Sequence, residues 1–167
     1  PICIGERYYM DYPSQLSKLF VLCGDRIARC NSFESFNKQF NVFGDKKVEM
    51  YPRHSFIDIL RQLKGINNQY PIIVSHQFLN DLNFLHFEAL YLGWPVIHNC
   101  PRLKDVGYYY PDCDVNKGSE LIEYIRHNHD NNIKKYRKQV ERFLARYDPG
   151  NGDVISRYNE VIQNLVC

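Results

Sequence analysis

Polar side chains collect where two short apolar runs end. Pro71, Ile72, Ile73 and Val74 lead into Ser75 and His76, with Asn80 and Asn83 a few residues on; Trp94, Pro95, Val96 and Ile97 lead into His98 and Asn99. Between Asn83 and Ile97 the one carboxylate is Glu88. In a parallel sheet wound with helices, ligands bind beyond the carboxyl ends of the strands, where a helix start offers unpaired backbone N–H groups. Such an end suits phosphate, because the N–H groups aim at it and the helix dipole favours negative charge. Ser75, His76, Asn80, Asn83, His98 and Asn99 are therefore candidates for holding an anionic ligand. Glu88 lies a turn and a half inside an apolar helix-like run, and a carboxylate there needs donors, which ribose hydroxyls would supply. Arg53 adds a planar guanidinium suited to a diphosphate.

The elements that must position these residues follow from apolar spacing. Residues 18–23, 71–74 and 94–97 read as short buried strands, and the alternating stretch 46–51 reads as a more exposed one ended by Pro52. Helical spacing covers 32–43, with phenylalanines at 33, 36, 40 and 43, and 55–64, with Phe56, Ile59, Leu60 and Leu63 on one face. Ser32 and Ser55 are the expected N-caps, and Gly93 followed by Pro95 should stop the helix that carries Glu88. Residues 1–15 are ambiguous between a strand stub and a helix. From Gly118 onward apolar positions keep helical spacing, interrupted at 148–152 before a last helix over 153–165. The alternation predicts an α/β fold: a Rossmann-like wound parallel sheet with helices on both faces and C-terminal helices, in one domain over 1–167, the sheet and its helices in 1–117 and the tail in 118–167.

Asn80, Glu88, Ala89, Leu90, Gly93, Pro95, Val96 and Ile97 form the series N-x7-E-A-L-x2-G-x-P-V-I. This series resembles the E-x7-E-A-x3-G-x-P-V-I signature of GT-B glycosyltransferases, notably the large retaining family four. The run from Gly107 to Asp112 is similar to the glycine and apolar-P-D turn that follows in that family, and the pattern V-S-H-Q-x2-N-x-L-N looks like a less characterised GT-B-like group. The resemblance implies the nucleotide-sugar-binding, C-terminal lobe of a metal-independent enzyme that moves a sugar from a nucleoside diphosphate, a UDP-sugar for example, to an acceptor hydroxyl in glycan biosynthesis. By position it makes Glu88 the ribose ligand, puts Asn80 where the first glutamate approaches the sugar, and sets Phe84 and Leu85 where backbone N–H groups meet phosphate. Asn83 stands at the family's usual glycine, and the acceptor-binding N-terminal lobe is absent from this sequence. A glycan or lipid acceptor would be met through that lobe. The alternative is an inactive GT-B-like module that binds a nucleotide or a protein.

Composition bounds these readings without choosing among them. At 167 residues, 44% apolar and 24% charged, the chain can bury one core, and no apolar run nears the length of a membrane span. A net charge of +2 does not announce a nucleic-acid binder. Six scattered cysteines with no C-x-x-C pair read as reduced thiols in a cytoplasmic setting, and the opening proline suggests a piece of a longer chain. Asp112 and Asp114 form a literal D-x-D, and His127, His129 and Asp130 cluster, yet each reads more simply as a turn or a solvated helix end than as a metal site. His76 and His98 also have a structural reading, as does Asn99, which precedes Pro101 in a turn. Tyr108, Tyr109 and Tyr110 either stack on a base or sugar or cover a core edge. The basic run Lys134, Lys135, Arg137, Lys138, Arg142 and Arg146 is a solvated face, or a peripheral contact with an anionic membrane or nucleic acid.

Overall fold

The computed structural model describes residues 1–53, 58–59, 71–78 and 83–166. In chain order these hold α1 (Ile2–Asp11), β1 (Leu19–Val21), α2 (Asp25–Ala28), α3 (Phe33–Asn37), α4 (Asn41–Gly44), β2 (Val48–Met50) and β3 (Ile73–Ser75), then α5 (Phe84–Tyr91), β4 (Val96–His98), β5 (Tyr108–Tyr109), α6 (Val115–Asn128), α7 (Ile133–Leu144) and α8 (Gly152–Val166). The fold is mixed α/β, and among the described residues every strand pairing is parallel.

The parallel pairing comes in two pieces rather than in the one sheet expected: β1 with β2, and β3–β4–β5. In the larger piece Ser75 pairs with His98 and His98 with Tyr109, so three polar side chains share one row at the carboxyl edge. Successive residues of β4 feed opposite cores, as the two-residue period of a strand requires. Val96 joins Ala89 and Leu90 of α5 and Tyr136, Val140 and Phe143 of α7; Ile97 joins Ile4 and Tyr8 of α1 and Ile122 and Ile125 of α6. Helices thus cover both faces of this sheet, and all three residues of β4 are buried.

α1 ties the two pieces together. Gly5 leaves room for the Leu19 side chain of β1, where a Cβ would stand 2.8 Å from a Leu19 methyl. Glu6 caps α4: its two oxygens accept from the backbone N–H groups of Asn41 and Val42, each at 3.0 Å. On the other side Tyr8 meets Glu123 and Arg126 of α6. Residues 2–11 are helical throughout, which settles the ambiguity at the start of the chain.

The helix expected over 32–43 is broken. Phe40 is extended (φ −124°, ψ 128°) and separates α3 from α4, a break that suits a stretch rich in Ser and Asn, which hydrogen-bond the backbone in competition with the helix. The four phenylalanines still gather, with Phe36 and Phe40 centroids 4.8 Å apart. Ser32 precedes α3 but its side chain does not cap it. Of the helix expected over 55–64 only 58–59 are described, and they are helical; Ser55 lies outside the described residues. α5 ends as foreseen: Gly93 takes φ +76° while its N–H and that of Trp94 bond back to Leu90 and Ala89, a Schellman closure.

Candidate functional site

The carboxyl edge of β3–β4–β5 is where the expected site residues meet, and most of them turn out to hold one another. Asn99 accepts from the Gln77 N–H at 2.7 Å and donates to the Gln77 carbonyl at 2.9 Å, clamping the end of β3 to the end of β4. This two-point bond to the backbone gives Asn99 a turn-shaping role. Ser75 is buried, and its hydroxyl accepts from the Gln77 amide at 3.0 Å.

His98 is fully buried. Its Nε2 donates to the Val106 carbonyl at 2.8 Å, and its Nδ1 accepts from the Cys100 N–H at 3.3 Å. Both ring nitrogens are therefore bonded to the backbone, and the ring braces the loop between β4 and β5. Gly107 makes the brace possible: it sits at φ +72°, and a Cβ there would lie 3.0 Å from His98 Nε2 and from the Val96 carbonyl. Desolvation lowers the His98 pKa, so the neutral ring is the resident form.

At the start of α5, Asn83 is the N-cap and accepts from the Leu85 N–H at 3.0 Å. Leu85 therefore has no free N–H for a phosphate. The Phe84 N–H has no partner among the described residues. Glu88 is exposed rather than embedded: one face of α5 presents Phe84, Glu88 and Tyr91 to solvent, the two aromatics 77% exposed each, while His86, Ala89 and Leu90 turn inward. Its carboxylate makes no hydrogen bond or ion pair among the described residues, so donors from a ligand are accommodated rather than demanded. Arg53 is exposed and follows β2, in the smaller piece of sheet. Asn80 lies outside the described residues.

His76 keeps a connection that the sequence did not suggest. The Tyr110 hydroxyl lies 3.4 Å from the Ser75 carbonyl and 2.8 Å from His76 Nδ1, and Cys113 Sγ lies 3.7 Å from His76 Nε2. Tyr110 is fully buried, its pKa pushed up to about 12 by desolvation, so it stays protonated. The last of the three tyrosines is thus a core residue that orients an imidazole, and Tyr108 is likewise internal, bonded to His129 Nδ1 at 2.8 Å.

The candidate metal ligands disperse. Asp114 caps α6 by accepting from the Lys117 N–H at 2.9 Å; His127 pairs with Glu123 at 2.8 Å; and His129 is buried between Tyr108 and the Gly93 carbonyl. The basic residues of α7 are exposed around the buried stripe Tyr136, Val140 and Phe143. Among the described residues no helix is long and apolar enough to cross a membrane.

A family model of proteins of unknown function, DUF2827, matches residues 1–162. The chain belongs to the DUF2827 family. No curated protein and no solved structure matches it. For this DUF2827 chain the site must accordingly be argued from its own geometry. Sequence reasoning missed Tyr110, Cys113 and Gln77 as members of the strand-edge cluster and His86 as a buried ring. The signal that could have found the first two is the parallel register, which sets Ser75, His98 and Tyr109 in one row and so turns the residues that follow β3 and β5 toward the same edge.

Proposed function

We propose that this chain is the donor-binding lobe of a GT-B-type glycosyltransferase, holding a nucleoside diphosphate sugar whose sugar passes to a hydroxyl of a glycan or lipid acceptor. The observation that carries the reading is α5. It follows a parallel strand, starts at an N-terminus capped by Asn83, and carries Glu88 exposed just over one turn inside. A nucleotide laid along this face would meet the positive end of the helix and the Phe84 N–H with its phosphates, and Glu88 with its ribose. Negative charge that builds on the departing diphosphate is met by that dipole and by Arg53, with His76 a polar neighbour at the strand end. The reading asks for no metal.

A second reading, an inactive nucleotide- or protein-binding module, draws on the internal bonding of Ser75, His98, Asn99 and the Leu85 N–H. In either case the exposed cations of α7 fit the chain to lie against an anionic membrane surface. The deciding experiment is ligand-observed NMR of this chain with UDP, GDP, CDP, ADP and their sugar conjugates, Glu88→Ala serving as control. Saturation transfer to one nucleotide that disappears in the variant supports the donor lobe and names the base. Transfer that survives the substitution removes Glu88 from the site, and no transfer to any nucleotide favours the protein-binding form of the module.

A further inference from the structure

Cys113, His76 and Tyr110 are arranged as a nucleophile, a base and a group that orients the base. Tyr110 is fully buried, His76 half-buried and Cys113 exposed, so the row runs from the core to solvent. The Tyr110 hydroxyl proton has an acceptor in the Ser75 carbonyl, 3.4 Å away, which leaves the phenol oxygen to accept from His76 Nδ1–H at 2.8 Å. That tautomer puts the lone pair on Nε2, the atom that faces Cys113 Sγ at 3.7 Å. The thiol itself follows Asp112, which is held in the left-handed region at φ +50° between the end of β5 and the cap of α6. A non-glycine residue in that region costs free energy and persists only where its surroundings fix it, so the position of Sγ is set by the fold. Cys3, Cys23 and Cys30 are also exposed and free, and none of them has a histidine within bonding distance among the described residues.

We propose that Cys113 is a reactive thiol, deprotonated by His76, that exchanges with small disulfides at the mouth of the sheet. In the step His76 Nε2 takes the thiol proton and Sγ attacks one sulfur of the disulfide. A new S–S bond forms, the old one breaks, and the departing thiolate takes the proton back from the imidazolium. The reaction suits this site because charge passes only between sulfurs and a neighbouring imidazole. Burial lowers the His76 pKa, so the ring is neutral near pH 7 and its lone pair is free to act as base. This assignment does not rest on the donor-lobe reading, since it concerns the thiol and requires no nucleotide.

The test is exposure of the whole chain to oxidised glutathione at about pH 6.5, where an ordinary thiol is only about 1% thiolate, with peptide-resolved mass spectrometry of each cysteine over time. Cys113 is expected to form its mixed disulfide about tenfold or more faster than Cys23 and Cys30. His76→Gln should bring Cys113 down to their rate, and Tyr110→Phe, which keeps the ring but frees the imidazole to turn, should lower it part of the way. The rates at Cys23 and Cys30, which should not change, report that each variant remains folded. Equal rates at Cys113, Cys23 and Cys30 in the wild type overturn the proposal, as does an unchanged Cys113 rate in His76→Gln. If that variant does not fold, Tyr110→Phe decides: a fall supports the dyad, and no change removes it.

Discussion

Replacing His86 with leucine should make this protein more stable, and increasingly so as the solution is acidified. His86 is 0% exposed, and neither ring nitrogen has a hydrogen-bond partner among the described residues. The ring of His98 lies beside it, at 5.7 Å between centroids. A buried polar group left unpaired costs about 1–3 kcal/mol relative to its hydrated state, so His86→Leu should gain on the order of 1–2 kcal/mol at pH 7.5 after imperfect packing is allowed for. The acid effect is separate. Burial, with a smaller contribution from His98, holds the His86 pKa down at about 4, against 6.5 in a solvated chain. The unfolded chain therefore binds a proton that the folded chain refuses, and stability is lost as pH falls from about 6.5 toward 4. At 1.36 kcal/mol per pKa unit the full loss is about 3 kcal/mol. The assay is urea unfolding followed by the fluorescence of Trp94, the only tryptophan in the sequence and a member of the core beneath α5. Wild type and variant are compared at pH 7.5, 6.5, 5.5 and 4.5. The difference between them isolates the ring from the carboxylates, which titrate in both. A gap that stays constant from pH 6.5 to 4.5 would refute the argument whatever its sign, since packing defects do not depend on pH.

Four further outcomes are expected. Gly118→Ala places a Cβ 2.5 Å from Ile4 Cδ1, against a side chain that is 2% exposed, and should cost about 1–3 kcal/mol by pushing α1 off α6, read as a lower urea midpoint. Gly107→Ala combines a left-handed backbone with a Cβ against His98 and the Val96 carbonyl, and should cost about 2 kcal/mol or more in the same assay. Asp114→Ala removes the N-cap of α6 and should cost about 1 kcal/mol, with no change in the slope of the unfolding curve. On the docking proposed for α7, the chain should co-sediment with phosphatidylserine vesicles at low salt, and Lys134→Glu with Lys135→Glu and Lys138→Glu should abolish this; binding that persists at high salt would contradict an electrostatic contact.

β1, β3 and β4 were legible because each lies in an apolar run, β2 because its stretch alternates, and the stop at Gly93 because only a residue tolerant of positive φ closes a helix that way. Less was legible where propensity and pattern disagree: phenylalanines at helical spacing over 33–43 marked an aromatic cluster, but the Ser- and Asn-rich backbone between them breaks at Phe40. β5 went unseen because two residues of a tyrosine run carry no alternation to read. The candidate site was legible as a place more than as a set of roles. Residue types pointed to the carboxyl edge, but whether Asn99 or His98 is free depends on which backbone groups come within reach. Those groups are Gln77 and Val106, and only the folded chain brings them there. Cys113 was read as one of several scattered thiols because its partner is 37 residues away.

The seat of α1 governs when the domain can be finished. Tyr8 finds its partners in Glu123 and Arg126, 115 and 118 residues further along the chain. On a ribosome adding about 5–20 residues per second, Ile4 and Tyr8 wait roughly 6–23 s after they emerge before α6 exists to cover them. During that interval an apolar helix face is open to chaperones and to other nascent chains, and covering it requires the closing of this long loop.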